Sequence, residues 1–299
     1  MKNIMIILLL LCSRLAYAQL NDDFSDGNFT SDPLWMSSNS GADFIVTSNR
    51  LRSNSSIASS NFYLSTTNTL AVNCKWEFWV NLQFSTSGAN YTDIYIISDQ
   101  ENLKSTLING YFLRIGNTDD EISLYKRSGT TASSIKIIDG LNGSVGSTNN
   151  TVRIRISRSI SGLFTLEREI VSSNSSFFTE GTATDLSFNS SSYFGILIQQ
   201  STSSFFQKHF FDDIRVGPII SDTIPPVLSS ISVIDTNTVE LIFSEAMDSL
   251  SVKNTNNFTF NNNSAPPTQV LTTTDPGKYR LRMAASLNTG TYLLTVINA

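Results

Sequence analysis

The run CKWEFWVNLQF, Cys74–Phe84, alternates without a break. Successive side chains of an extended strand point to opposite sides. Cys74, Trp76, Phe78, Val80, Leu82 and Phe84 therefore share one face, suited to a core, and Lys75, Glu77, Trp79, Asn81 and Gln83 share the other. This is the pattern of a half-buried strand in an antiparallel sheet. Trp79 is the exception on the polar face. A flat aromatic ring among hydrogen-bonding neighbours can hold the apolar C–H face of a sugar while those neighbours bind its hydroxyls. The plainer reading is a tryptophan packed beneath a loop.

Outward from this run the texture repeats. From Phe44 onward, short alternating segments rich in Val, Ile, Phe, Tyr and Thr, such as TDIYIIS, GYFLRIG, EISLYKRS and TVRIRISR, are separated by STSGAN, LNGSVGSTNN and SSNSS. Twelve such segments precede Gly217, which is more than one small Ig domain needs, and no long run after the first residues has helical periodicity. The expected class is all-β, a jelly-roll β-sandwich of two antiparallel sheets. Past Gly217, Pro225 and Pro226 fix φ and remove two donors, which ends strand pairing and marks a domain boundary. ISVID and TVELIF then predict a hairpin, NFTF and TQVLTT two further strands, and KYRLRMA with TYLLTVI a second hairpin, so a smaller β-sandwich is expected here.

The first residues, MKNIMIILLLLCSRLAYAQL, combine Lys2, an apolar run from Ile4 to Leu11, and small residues at Ala16 and Ala18. That is an export signal, and its apolar run is too short to span a bilayer. The expected division is a signal peptide over 1–18, a jelly roll over 19–219 and the second domain over 220–299. Cleavage removes Lys2, Arg14 and Cys12. It leaves 18 basic against 25 acidic residues, a formal charge of −7, and Cys74 as the sole thiol, expected to be a buried small hydrophobe. Such a surface argues against nucleic acid and anionic lipid as partners.

The second segment resembles the bacterial Ig-like domain of SbsA type, found in surface-layer and other secreted proteins. The resemblance is carried by Asp222, Pro225, Pro226, VELIFSEAMD (Val239–Asp248), Asn257, Phe258 and TGTYLLTV near the end. The family pattern would continue into one more strand, which implies a protein truncated at its C-terminus. The first segment resembles the concanavalin A-like lectin and glucanase jelly rolls through DDFSDGNFTSDPLW (Asp22–Trp35), GYFLRIG (Gly110–Gly116), EISLYKRSG and FFDDIRVG (Phe210–Gly217). That likeness implies a carbohydrate-binding module or a hydrolase; the shape alone does not choose between them.

Retaining glucanases of this shape place two carboxylates about 5 Å apart. No Glu-x-Asp-x-x-Glu run occurs; Glu77 stands alone and Asp119–Glu121 is expected in a turn. One histidine, His209, argues against a Ser-His-Asp or His-rich metal site. If neighbouring strands keep one sidedness, Trp79, Asp93, Tyr95, Tyr125 and Arg153 would line a single groove for a neutral or weakly acidic polysaccharide or surface glycan. Asp22 and Asp23 near the start, and Asp212 and Asp213 near the end, would meet if the first and last strands pair, and would then hold a structural Ca²⁺. The expected protein is thus a secreted or cell-surface, non-enzymatic, lectin-like adhesion protein with an Ig-like spacer. A purely structural spacer whose active partner lies beyond residue 299 comes second, and a glycoside hydrolase third.

Overall fold

A computed structural model describes residues 20–129, 131, 133–170, 176–219, 225–247, 252–260, 266–290 and 292–297. The export signal over 1–18 lies outside the described residues. Two compact units form, Met1–Ile220 and Ser221–Ala299. Among the described residues no helix is long and apolar enough to cross a membrane.

The first unit is an all-β jelly-roll sandwich. Its eight-stranded sheet runs β13 (Phe178–Thr184), β12 (Leu163–Ile170), β11 (Asn150–Arg158), β6 (Cys74–Leu82), β15 (His209–Pro218), β4 (Arg50–Ser53) and β3 (Phe44–Thr47), and β1 (Leu20–Asp22) also pairs with β15. The seven-stranded sheet runs β10 (Ser133–Ile138), β9 (Glu121–Ser128), β8 (Gly110–Gly116), β7 (Tyr91–Ser98), β14 (Tyr193–Gln200), β5 (Ser60–Thr67) and β2 (Met36–Ser37). The inner faces close on each other. Trp76, Phe78, Val80, Ile154, Phe164 and Val216 from one sheet, and Phe62, Ile94, Tyr111, Leu113, Phe194 and Ile196 from the other, are all buried in one cluster.

The alternation read in Cys74–Phe84 holds: Cys74, Trp76, Phe78, Val80, Leu82 and Phe84 are buried. Burial pushes the Cys74 thiol up to about 12, so it stays protonated and inert. In β7 the alternation breaks. A bulge between Tyr95 and Ile97 turns Ile97 inward with Ile94 and Ile96, so Ile97 leaves the face that strict alternation through TDIYIIS would give it beside Asp93 and Tyr95. Three strands escaped the sequence reading: β1, β2 and β13, the last because FTEGTAT carries almost no apolar alternation.

Two polar side chains sit deep in this unit. Arg158 is fully buried, donating to the carbonyls of Ala71, Asp185 and Phe188 and to Asn189 Oδ1, at 2.7–2.9 Å. His209 is also fully buried, 4.7 Å centroid to centroid from Phe84, with Nδ1 3.4 Å from Ser53 Oγ.

In the second unit, β16 (Leu228–Asp235), β17 (Thr238–Phe243), β20 (Lys278–Arg282) and β19 (Gln269–Thr272) form one sheet, and β18 (Phe258–Phe260) with β21 (Leu294–Val296) another. Val239, Leu241, Phe243, Phe258, Tyr279 and Leu281 make its core. Here β20 pairs with β17 and β19, and β21 with β18, so the expected hairpin of KYRLRMA with TYLLTVI does not form.

Replacing Arg158 by Met removes the donors of four acceptors at once. The Ala71 carbonyl is left buried without a donor, while the three part-buried acceptors regain water in part; the loss is ~3 kcal/mol in total, and urea denaturation of the variant is expected to show a decrease of that order. Burial lowers the His209 pKa from 6.5 to about 3. The unfolded chain therefore binds the extra proton between these values, and stability falls as pH drops through that window, by up to about 1.4 kcal/mol per pH unit. Subtracting the stability profile of His209→Gln from that of the parent cancels the carboxylates common to both. The difference is expected to slope between pH 6 and 4; a flat difference would place the imidazole in contact with solvent.

Candidate functional site

The expected single groove does not exist, because consecutive strands switch sheets. Trp79 on β6 and Arg153 on β11 are direct neighbours in the eight-stranded sheet, whereas Asp93 and Tyr95 on β7 and Tyr125 on β9 lie in the seven-stranded one. All five point away from the core, so the sandwich sets them back to back in two groups.

On the eight-stranded sheet Trp79 does occupy the outer face, but it is only 9% exposed and the Arg50 guanidinium lies over its ring at 4.3 Å. With one face taken by the cation and so little of the rest in solvent, the ring has no open surface on which a sugar could stack. The adjoining recess of about 270 Å³ is lined by Glu77, Arg153, Arg155, Phe177 and Asp213 along with Trp79. Its charges are spent on each other. Arg155 Nε donates to Glu77 at 2.7 Å, Arg153 pairs with Asp213 at 3.1 Å, and Lys75 pairs with Glu77 at 3.1 Å.

The outer face of the seven-stranded sheet is different. Register brings Tyr125, Phe112 and Tyr95 into one cross-strand row, and Ser123, Arg114, Asp93 and Leu197 into the next. Phe112 and Tyr125 stack 5.2 Å apart with planes 7° from parallel, and Tyr95 tilts against Phe112 at 5.0 Å. Arg114 donates to both Asp93 oxygens, Nε at 2.7 Å and Nη2 at 2.8 Å, with its guanidinium 4.2 Å from the Tyr91 ring centre. Burial works against the charge on Arg114, and the hydrogen bonds and field of the Asp93 carboxylate overcome it, raising its pKa.

The β7–β8 connection folds over this face. Leu103 and Ile108 are buried in the same cluster as Tyr95 and Phe112. Leu103 rests where β14 has Gly195: a Cβ there would meet Leu103 Cδ1 at 2.6 Å and the Leu64 carbonyl at 2.6 Å. Arg127 Nη2 holds the loop through the Ser105 carbonyl at 3.3 Å. The result is a pocket of about 260 Å³ with Tyr91, Tyr95 and Phe112 in its lining, Arg114 and Arg127 as cations, and Asn61, Gln199 and Lys104 further round it. Sequence reading found Asp93 and Tyr95 and set Tyr125 beside them. Arg127 shares the face of Tyr125 by the same alternation; the reading missed Tyr91 and Arg114, although an arginine inside the otherwise apolar GYFLRIG should have signalled a buried partner.

The four acidic residues expected to hold Ca²⁺ are also divided. β1 and β15 do pair, with Asp22 opposite Ile214. Residues directly opposite share a face, so Asp22 turns inward with buried Ile214, where it accepts from Trp35 Nε1 at 2.8 Å and the Phe24 amide at 2.9 Å. A bulge between Asp212 and Arg215, with Asp213 at φ 50°, sends Asp212 and Asp213 outward instead. There Asp212 meets Arg50 at 3.2 Å and Asp213 meets Arg153. Asp23 is exposed and accepts from the Ser25 amide. Among the described residues no group of three metal-ligating side chains converges. The residues present do not fit a calcium ion. Glu121 is likewise not in a turn; it starts β9, buried, and accepts from Ser123 and Lys136.

No protein-family model and no curated protein matches the chain. Among solved structures it is similar to the VIP36 exoplasmic/lumenal domain in metal-free form, at 13% identity and a TM-score of 0.50, over 68% of this chain and 92% of that one. It is also similar to the Emp47p carbohydrate recognition domain, at 13% identity, TM-score 0.47, over 68% and 95%. A third is carbohydrate binding module CBM66 from Bacillus subtilis, at 12%, TM-score 0.43, over 61% and 94%. At 13% identity the likeness to the VIP36 domain is one of fold.

With each carboxylate already matched to its own cation or donor, chelation by EDTA is expected to leave the melting temperature unchanged. A calcium-dependent fall of several degrees, abolished in Asp213→Ala, would restore the metal site.

Proposed function

We propose that this is an exported, non-catalytic glycan-binding protein of the secreted or cell-surface type, whose binding face is the outer side of the seven-stranded sheet. The observation that carries the reading is the pocket beside the Arg114–Asp93 pair, where aromatic rings and a rigid, doubly hydrogen-bonded ion pair adjoin two side-chain amides, Asn61 and Gln199. An aromatic lining with a few fixed polar groups is the chemistry that recognises a sugar ring and its hydroxyls. The lectin-like fold is compatible with this reading but does not decide it.

A hydrolase reading is not supported by the same pocket. Asp93 is its only lining carboxylate among the described residues, and both of its oxygens are held by Arg114. Buried His209 is not placed to serve as an acid or base for a surface substrate. The proposal needs no calcium at Asp22, Asp23, Asp212 and Asp213. In it, the second unit is the Ig-like spacer that carries the binding domain in a surface adhesion protein.

Affinity electrophoresis through a panel of immobilised polysaccharides tests the reading. Tyr91→Ala, which removes a half-buried pocket ring, is expected to weaken retention at least tenfold, about 1.4 kcal/mol. Arg153→Ala, on the opposite sheet, is expected to be retained like the parent. Equal retention of Tyr91→Ala, folded by its circular dichroism, or selective loss in Arg153→Ala would move the site to the other face.

A further inference from the structure

The charge of this pocket is opposite in sign to that of the chain. The full sequence carries a formal −5, yet the pocket contains Arg114, Arg127 and Lys104 against Asp93 alone. Asp93 is fully occupied by Arg114, and Glu121, the acid nearest along β9, is taken by Lys136. Arg127 makes one bond to the Ser105 carbonyl, and its Nε is buried with no partner in the protein. No ion pair among the described residues engages Arg127 or Lys104. The recess beside Trp79 makes the contrast plain, because its three arginines face Glu77 and Asp213 and all of these groups are paired.

Arg127 is half-buried and spends one donor on the loop, so its guanidinium keeps donors that an acceptor brought by a ligand can use. Two unpaired cations beside an aromatic lining select a ring that carries its own negative charge. We infer that the pocket takes an anionic sugar residue, one bearing a carboxylate or a sulfate ester, with the anion held by Arg127 and Lys104 and the ring placed against Tyr91. This rests on the glycan-binding reading of the same pocket and narrows it. Arg114 has the different task of fixing Asp93 and the aromatic row. The global negative charge sharpens the selectivity, because a polyanion gains nothing from the rest of the surface.

The test is matched pairs of ligands on the full chain, read by isothermal titration or affinity electrophoresis. One pair is a polyuronate and its carboxyl-reduced form, the other a sulfated galactan and its desulfated form. The charged member of at least one pair is expected to bind tenfold or more tightly than its neutral counterpart, and the preferred pair identifies the anion. Lys104→Ala, at an exposed position, is expected to weaken the charged ligand several-fold and the neutral one by clearly less, so that the ratio within each pair falls. Arg127→Gln is expected to remove most of the remaining discrimination, with its melting temperature recorded alongside. Both substitutions should lower the salt dependence of binding. Equal affinity within both pairs, or discrimination that survives in the double variant, would overturn the anionic assignment while leaving glycan binding in place. Absence of binding to charged and neutral members alike, across the wider panel as well, would overturn both.

Discussion

Strand β6 is the constraint on which the first unit depends. It is hydrogen-bonded along both edges, to β11 and to β15, and every second residue from Cys74 to Leu82 is locked into the core. Once Trp76, Phe78 and Val80 are inside, the opposite parity has no choice but the outer face. The neighbours inherit this phase: Ile154 lies opposite Phe78, and Val216 opposite Trp76. Where β15 must keep both Phe211 and Ile214 inside despite an even–odd mismatch, it inserts the extra residue Asp213. The bulge is thus a consequence of core register, and the outward pair Asp212 and Asp213 is a consequence of the bulge.

That explains why part of the structure was legible in the sequence and part was not. The strands around Cys74, Gly110, Glu121 and Thr151 follow from side-chain alternation, which is a property of consecutive residues. Sheet membership is not local. Trp79 and Tyr95 look equivalent as outward aromatics on successive strands, yet the chain crosses between layers after Leu82, and they end up on opposite surfaces. The bulge in β7 and the bulge in β15 were hidden for the same reason: each answers to the register of a partner strand. Strand β13 was hidden differently, since the Arg168–Glu180 pair and backbone pairing with β12, rather than apolar alternation, hold it.

Buried polar groups set the limits of what the core can do chemically. Cys74 is kept neutral by burial, His209 is kept neutral by burial, and Arg158 is kept in place by three carbonyls and an amide. None of them presents a reactive form to solvent. Residues whose types suggest chemistry in the sequence serve here as packing and as cross-links between loops. The capacity to recognise something outside the molecule is left to the outer faces of the two sheets.

Those faces differ in how completely they satisfy themselves. On the eight-stranded sheet, Lys75, Glu77 and Arg155 form a continuous run of paired charges, Arg153 and Asp213 another, and Arg50 covers Trp79. Exposed pairs of this kind add little stability, about 0–1 kcal/mol each, but they cancel the local field and cover the aromatic ring. In the pocket on the seven-stranded sheet the one acid, Asp93, is consumed by Arg114, Glu121 further along the face is taken by Lys136, and the loop carrying Leu103 roofs the aromatic row without an ion pair to Arg127 or Lys104. A surface that has already matched its own charges has little to offer a ligand. The face with unmatched donors beside an aromatic row is where binding free energy remains to be gained, which is the physical ground for proposing the site on the side of the sandwich away from Trp79.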